Sequence, residues 1–246
     1  MKNFILFFAS GFLGLYLTAQ TKTFIIHGTV KNPAIKNIEI TYPANSKLSE
    51  WKTVNANVEN GKFKIPVTVS FPSEINISYG NRNYGKNYFF SDTHILIDTA
   101  EGPRLIKSPV QDEYEKEFLP FFKANDKNYD SLQQFYQRNY PVYGRDFPKE
   151  VKDSAVLLQE KYYRQRSALL AEYIKRHPGS YVALWDIYYF ISITPTHKYF
   201  DFEKLFSLFS AKVRNQPFIN ALKQKLRESK SLQPGLLFPT DFYKGY

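Results

Sequence analysis

The sequence predicts an α+β protein in which an N-terminal antiparallel β-sandwich or barrel-like domain precedes an α-helical domain. Two observations predict this fold class. Up to about residue 107, short β-rich stretches alternate with turn residues, which is the spacing of strands in a sandwich or small barrel. From Ser108 onward, apolar residues recur at steps of three and four, as they do in helices. The chain has 246 residues, enough to build a core in each region.

The N-terminal region contains about seven predicted strands. Asn60-Gly61 gives the clearest signal, because these two residues supply the positive φ angles of a type I′ turn and therefore predict a hairpin. On the arm that follows, Phe63, Ile65 and Val67 alternate with polar residues, as in a half-buried strand. The predicted strands span residues 24–30, 37–42, 53–58, 62–69, 74–79, 88–91 and 95–98.

The C-terminal region contains five predicted helices. The first begins at Ser108-Pro109 with the form of a capping box, and it runs to about Tyr140 with a kink expected at Pro120. The second runs from Pro148 to Arg176. Three further helices are predicted to begin at capping residues, which are Ser180, Asp201 and Asn215.

The first twenty residues predict a secretory signal. Lys2 precedes an apolar run that is shorter than the roughly 20 residues needed to span a bilayer, and Ala19 offers a small residue for cleavage. An uncleaved membrane anchor is the alternative interpretation. We expect an exported chain with no stable membrane span after cleavage, in the periplasm or outer envelope of a Gram-negative bacterium. The expected division is 1–20 signal peptide, 21–107 β-sandwich-like domain, 108–230 helical domain and 231–246 extended tail.

Charge and cysteine content exclude several classes of function. The 33 basic and 23 acidic side chains give a formal charge of +10, and the excess is spread along the chain. A nucleic-acid-binding protein would concentrate such charge on one face, so no nucleic-acid partner is expected. The excess fits solubility with weak attraction to anionic envelope polymers. The chain has no cysteine, which excludes disulfides, thiolate zinc sites and thiol nucleophiles.

The sequence carries no strong signature of a metal site or of catalysis. Asp92, His94 and Asp98 are the best metal candidates, because they share a face if that segment is extended. An ordinary turn is the favoured interpretation of the same residues, so no metal and no cofactor are predicted. No nucleophile elbow or phosphate-binding motif occurs, and we therefore predict that the chain is not an enzyme.

A tyrosine-rich polar segment, residues 79–88, is the candidate binding loop. Its candidate binding residues are Tyr79, Arg82, Tyr84 and Tyr88, because tyrosine offers rigid amphipathic area to a glycan or a protein partner. The competing and favoured interpretation is a hairpin loop whose tyrosines cover the sheet edge.

Four short motifs occur in a fixed order along nearly the whole mature chain. They are Gly28-x-Val30 followed by Asn60-Gly61-Lys62-Phe63; Ser108, Gln111 and Tyr114 at steps of three; His177-Pro178-Gly179-Ser180-Tyr181-Val182-Ala183; and the tail segment Gly235 to Gly245. In this order they resemble the N-terminal domain of unknown function and the helical segment that precede the thioredoxin-like domain of bacterial envelope TlpA-type thiol–disulfide proteins. The tail departs from that family's pattern by one position at Phe242.

The resemblance implies a non-catalytic accessory region that positions a redox domain or holds its substrate. The redox dithiol of the family lies beyond the tail, and no matching position is catalytic, so no catalytic residue carries over. The implied partner is a thioredoxin-like domain or another envelope protein. A second hypothesis is a stand-alone envelope module that binds a glycan or peptide through the segment from Tyr79 to Tyr88.

Overall fold

A computed structural model of the protein shows a β-sandwich followed by a set of helices, so the predicted α+β class is confirmed. The structure describes residues 22–44, 50–69, 73–79, 82–89, 93–98, 102–144, 146–192 and 194–231, and for residues 82–89 it describes the backbone alone. The predicted signal peptide and the tail motif lie outside these residues.

The described strands form two four-stranded sheets. Their order is β4-β1-β7-β8 in the first sheet and β3-β2-β5-β6 in the second. Neighbouring strands are antiparallel, except that β1 and β7 run parallel. The strands are β1 (Lys22–Val30), β2 (Asn37–Pro43), β3 (Trp51–Asn57), β4 (Lys62–Val69), β5 (Ser73–Tyr79), β6 (Arg82–Phe89), β7 (Thr93–Asp98) and β8 (Gly102–Ile106).

Alternation of apolar and polar residues places one face of each sheet in the core. In β4, every second residue from Phe63 to Val69 is buried, and Lys64, Pro66 and Thr68 between them are exposed. Strands β5 and β7 show the same period of two. The buried residues of both sheets form one hydrophobic cluster, so the sandwich has a core of its own.

The Asn60-Gly61 turn is confirmed, but the hairpin predicted around it is wrong. Asn60 and Gly61 have φ angles of 51° and 72°, as a type I′ turn requires. Beyond a single bridge between Glu59 and Lys62, the two arms separate into different sheets, because β3 pairs with β2 and β4 pairs with β1. The turn therefore forms a corner at which the chain passes from one sheet to the other.

Two further strands differ from the sequence prediction. The segment predicted as a tyrosine-rich loop is mostly strand, because β5 ends at Tyr79 and β6 begins at Arg82. Strand β8 was not predicted, since Gly102 and Pro103 at its start are typical turn residues. Its register with β7, from His94 opposite Ile106 to Asp98 opposite Gly102, extends the first sheet by one strand.

The helices follow directly after the strands. Between α1 and α2 the backbone forms a π-helical turn, Tyr114–Phe118, and a 3₁₀ turn, Thr194–Lys198, follows α4. The α-helices are α1 (Pro109–Glu113), α2 (Leu119–Tyr143), α3 (Lys149–Arg176), α4 (Tyr181–Ile191), α5 (Phe202–Leu208), α6 (Ala211–Arg214) and α7 (Pro217–Ser231).

Three of the predicted capping residues are confirmed, and one is wrong. The side chains of Ser108, Ser180 and Asp201 each accept a hydrogen bond from a backbone N–H three residues later. Asn215 is instead the C-cap residue of the short α6, and α7 begins at Pro217. Pro at the first position of a helix needs no donor partner, so Pro217 can begin α7 itself.

A π-helical turn directly precedes the segment in which the sequence predicts a kink at Pro120. The widened turn ends at Phe118, and α2 resumes with Pro120 in its first turn. The residue before Pro120, Leu119, donates its backbone N–H five residues back to the Tyr114 carbonyl, so the backbone hydrogen bonds are already shifted where proline offers no N–H. The insertion therefore allows the chain to continue as helix through a proline.

The helices enclose a second hydrophobic cluster, and one strand residue packs against it. Trp51 of β3 lies 6.4 Å from Trp185 of α4, measured between ring centroids, and contacts the helical core rather than the sandwich core. Trp185 itself is 1% exposed and also packs on Phe218. Within the part of the chain that the structure describes, no helix has both the length and the apolar character needed to cross a membrane.

We expect Gly61→Ala to reduce the free energy of unfolding by about 1–2 kcal/mol, because an L-residue at φ +72° is strained. The added Cβ would also lie 3.1 Å from the carbonyl oxygen of Val30. Urea denaturation measures the effect. Gly179→Ala is the matched control, because no atom lies within 4 Å of its added Cβ, and its stability should change by less than about 0.5 kcal/mol. Equal losses in the two variants would contradict the strain argument.

Candidate functional site

A polar groove lies beside the corner that joins β3 to β4. It encloses about 710 Å³, a volume within the range of roughly 300–1,000 Å³ typical of ligand sites. Strand β4 is an edge strand of the first sheet, and β3 is an edge strand of the second. We call this cavity the β3–β4 groove, and its lining comes from β1, β3, β4, β7 and the turn between β3 and β4.

One wall of the groove is a row of basic and imidazole side chains across three adjacent strands. His27 of β1 lies opposite Lys64 of β4 on one side and opposite His94 of β7 on the other. Cross-strand partners project from the same face, and adjacent strands lie about 4.8 Å apart. Two residues further along β1, Thr29 lies opposite Lys62. The register therefore brings two lysines and two histidines to one face of the sheet.

The groove has a positive excess. Its lining contains one carboxylate, that of Glu59, against the ammonium groups of Lys62 and Lys64. Among the described residues, neither of these lysines has an ion-pair partner. Asn55 and Asn57, both exposed on β3, add side-chain amides that donate and accept hydrogen bonds.

Gly28 and Phe63 lie beneath the polar wall. They are direct cross-strand partners, and both are buried. A Cβ built on Gly28 would lie 1.8 Å from Cε1 of Phe63, so the phenyl ring occupies the space that a side chain at residue 28 would need. This close packing fixes the β1–β4 pair from which the lysines and His27 project.

The groove supplies hydrogen-bonding groups and positive charge rather than a nucleophile and a base aligned for catalysis. Thr29 Oγ1 lies 3.1 Å from His94 Nε2, which is a hydroxyl–imidazole contact. A nucleophile–base pair also needs a group that orients the imidazole, and no carboxylate among the described residues does so for His94. The arrangement is suited to holding a polar ligand.

The candidate metal residues have other partners in the structure. His94 contacts Thr29, and Asp98 Oδ2 lies 2.6 Å from Lys31 Nζ. Asp92 falls outside the described residues. Within those residues, no group of three histidine, aspartate or glutamate side chains could hold a metal ion.

The structure places the four candidate binding residues of the tyrosine-rich segment on two adjacent strands, β5 and β6. Tyr79 is 4% exposed and belongs to the sandwich core, so its ring offers no face for stacking on a ligand. Arg82 and Tyr84 lie on the edge strand β6, opposite Tyr79 and Ile77 of β5. Tyr88 lies on the same strand, opposite Glu74. Their side chains fall outside the described part of the chain.

A second polar cluster joins α1, α3 and α4. The Glu113 carboxylate accepts a hydrogen bond from Tyr173 Oη at 3.1 Å and another from Ser180 Oγ. The Tyr173 ring stacks on His177 with 4.4 Å between centroids, and His177 Nδ1 lies 3.4 Å from Glu117 Oε2. Burial and the negative charge of Glu113 raise the pKa of Tyr173, which keeps its phenol protonated as the donor. The cluster holds three helices at one junction.

Sequence reasoning identified Ser180 as a helix cap but missed Glu113, which lies 67 residues away along the chain. In the structure, Glu113 directly precedes the π-helical turn from Tyr114 to Phe118, and this irregular turn is the local feature that marks its position. Such turns arise where a helix takes up an extra residue, and here the turn lies next to the carboxylate that both α3 and α4 contact.

Ser180→Ala removes two hydrogen bonds at once, and we expect it to lower the free energy of unfolding by about 1–3 kcal/mol. Ser180 Oγ accepts from the Ala183 N–H and donates to Glu113, and the residue is 2% exposed. Thermal or urea denaturation measures the loss. The control is Ser131→Ala on the exposed surface of α2, where only a hydrogen bond to the Lys127 carbonyl is lost. A loss no larger than that of the control would contradict the assigned contacts.

Comparison with known proteins does not assign the chain to a family. No protein-family model matches it, and no curated protein or solved structure matches it either.

Proposed function

We propose that the chain is a non-catalytic, exported accessory region of a thioredoxin-like thiol–disulfide envelope protein, and that it positions a redox domain or the substrate of that domain. One observation carries the proposal: motif residues that are far apart along the chain meet in space as scaffold contacts. Gly28 and Phe63, from the two halves of the first motif, are cross-strand partners with no room between them.

The remaining described motifs support the same role. Ser108 caps α1 through the Gln111 N–H, and Ser180 caps α4. Glu113, which lies between Gln111 and Tyr114 of the second motif, binds Ser180 of the third. These motif residues pack against one another or cap helices, and none of them forms part of a reacting group. A docking scaffold requires residues of this kind.

A disulfide-reduction assay tests the non-catalytic part of this proposal. With insulin as substrate and dithiothreitol as reductant, the purified chain should leave the rate at the background of dithiothreitol alone, because it holds no thiol. A TlpA-type thioredoxin-like domain with its Cys-x-x-Cys motif is the positive control. Turnover by the chain clearly above background would contradict the proposal.

A second candidate function is a stand-alone envelope module that binds a glycan or peptide. The β3–β4 groove favours it, because the groove has the size and polar lining of a ligand site. The segment from Tyr79 to Tyr88 remains the sequence-based alternative location. A ligand-dependent rise in melting temperature that Tyr84→Ala and Tyr88→Ala abolish would locate binding on β6. A rise that only groove substitutions abolish would exclude that location.

A further inference from the structure

The β3–β4 groove combines three properties that together specify a class of ligand. It is concave, with about 710 Å³ of space. Its charged lining is mostly basic, since the described lining residues include Lys62 and Lys64 but a single carboxylate, that of Glu59. Its uncharged polar lining consists of groups that both donate and accept hydrogen bonds. We propose that this groove binds a carboxylate-bearing oligosaccharide.

The positive charge accounts for the carboxylate. Lys62 and Lys64 are exposed on the same face of β4, two residues apart, and ion pairs with other described residues do not neutralise them. A contrasting lysine, Lys31, directly follows β1 and is paired with Asp98 at 2.6 Å. Unpaired ammonium groups in a concavity attract anions more strongly than the same groups on a convex surface, because the cavity walls focus the field.

The neutral lining accounts for the sugar. Asn55 and Asn57 on β3, and His27 and His94 on the opposite wall, provide amides and imidazoles that can both donate and accept hydrogen bonds. Sugar hydroxyls likewise donate and accept, so the two sets match. The Thr29 hydroxyl, 3.1 Å from His94 Nε2, adds another group of the same kind.

The structure disfavours an acidic peptide in the same place. A peptide that extends a sheet forms backbone hydrogen bonds along an edge strand. Strand β4 is the edge strand of its sheet, but it carries Pro66 at mid-strand, opposite Ile25, and proline lacks the N–H that such a peptide would need. Among the lining residues, Ala56 and the largely buried Phe63 are the two with apolar side chains, so the groove presents few apolar side chains to a peptide.

This inference deepens the second of the two candidate functions and does not depend on the first. If the chain fails to bind a thioredoxin-like domain, the inference stands. If it binds that domain but no acidic saccharide, the inference fails alone.

Isothermal titration of the full chain with a galacturonic acid oligosaccharide of three to six residues tests the proposal. We expect saturable binding that weakens with added salt, because exposed charges are screened within about 10 Å at 0.1 M ionic strength. The methyl-esterified oligosaccharide keeps every sugar hydroxyl and loses the charge, and it should bind at least about tenfold more weakly. No saturable binding of the acid form, or equal binding of the ester, would overturn the proposal.

Two variants locate the site. The double variant Lys62→Gln with Lys64→Gln should weaken binding by about tenfold or more, since each substitution removes one charge-assisted hydrogen bond to the ligand. Lys127→Gln with Lys152→Gln, on exposed positions of α2 and α3, removes the same net charge and should leave affinity within about twofold. Equal weakening in both variants would show that the oligosaccharide is attracted to the basic protein in general. That result would overturn the assignment of its binding to the β3–β4 groove.

A third variant and a peptide probe complete the design. Asn57→Glu places a negative charge in the groove without removing a lysine, and it should also weaken binding by repulsion. A polyglutamate peptide of matched charge should bind more weakly than the oligosaccharide. Equal or tighter binding of the peptide would overturn the assignment to a saccharide. Circular dichroism melts confirm that each variant remains folded at the titration temperature.

Discussion

Replacing Asp186 by alanine should destabilise the protein by about 3–5 kcal/mol, the largest effect expected from a single substitution at a charged residue among those that the structure describes. The Asp186 carboxylate pairs with the guanidinium of Arg166, with 2.7 Å between Oδ1 and Nη2. Both side chains lie deep in the helical core, with 8% and 13% of their surface exposed. Without Asp186, the Arg166 charge would remain buried and unpaired.

The surroundings of Arg166 explain why the loss is large. Its guanidinium lies 3.8 Å from the ring centroid of Phe122 and also faces Phe118 and Phe190, so little water can replace the lost carboxylate. Burial by itself would lower the pKa of Arg166, and the Asp186 carboxylate, together with Tyr162 and Asp126, outweighs that effect and raises it. Arg166 is therefore charged in the folded protein, and removal of Asp186 leaves that buried charge without its hydrogen-bonded carboxylate.

Two comparisons make this prediction specific. The double replacement Arg166→Met with Asp186→Leu removes both charges, so it should cost far less than Asp186→Ala alone. Arg164, two residues away on α3, pairs with Glu160 on the surface, where the side chains are 63% and 41% exposed. Arg164→Met should cost less than about 1 kcal/mol. Urea denaturation measures all three variants, and equal losses in Asp186→Ala and Arg164→Met would contradict a buried pair.

Gly28→Ala should destabilise the protein by about 1–3 kcal/mol or more, although alanine is usually the better residue in a strand. The new methyl group would overlap three ring atoms of Phe63, the nearest at 1.8 Å. Phe63 is 6% exposed and packs within the sandwich core, so its ring cannot move without disturbing its neighbours.

A double-mutant cycle separates this overlap from any general effect at residue 28. Phe63→Ala alone leaves a cavity and should cost about 3–5 kcal/mol. In the Phe63→Ala background the ring is absent, so Gly28→Ala should become nearly neutral or stabilising. A penalty for Gly28→Ala that is unchanged in that background would show that the phenyl ring is not its cause.

The fold class could be predicted from the change of period at Ser108, but the strand pairing could not. The Asn60-Gly61 dipeptide determines the turn through two positive φ angles, which are a local property. Which strand each arm pairs with depends on the burial of distant residues. The parallel pairing of β1 with β7 brings His27 next to His94, a contact between strands far apart in sequence, and no short-range pattern encodes it.

The same reasoning applies to the sites. The predicted tyrosine segment was chosen for its composition, yet one of its residues, Tyr79, belongs to the core because β5 alternates inward and outward along its length. The groove residues were missed because Lys62 and Asn57 look like ordinary exposed strand residues when taken one at a time. The groove follows from the corner at Asn60-Gly61, which brings two edge strands of different sheets together.

Isothermal titration of the full chain with the isolated thioredoxin-like domain of a TlpA-type envelope protein tests the proposed accessory role most directly. A cytosolic thioredoxin, which has the same fold and dithiol motif, is the control. The proposal predicts saturable binding of the envelope domain in the micromolar range, typical of interfaces between domains, and at least about tenfold weaker binding of the control. No saturable heat from the envelope domain up to millimolar concentration, or equal binding of both domains, would contradict it.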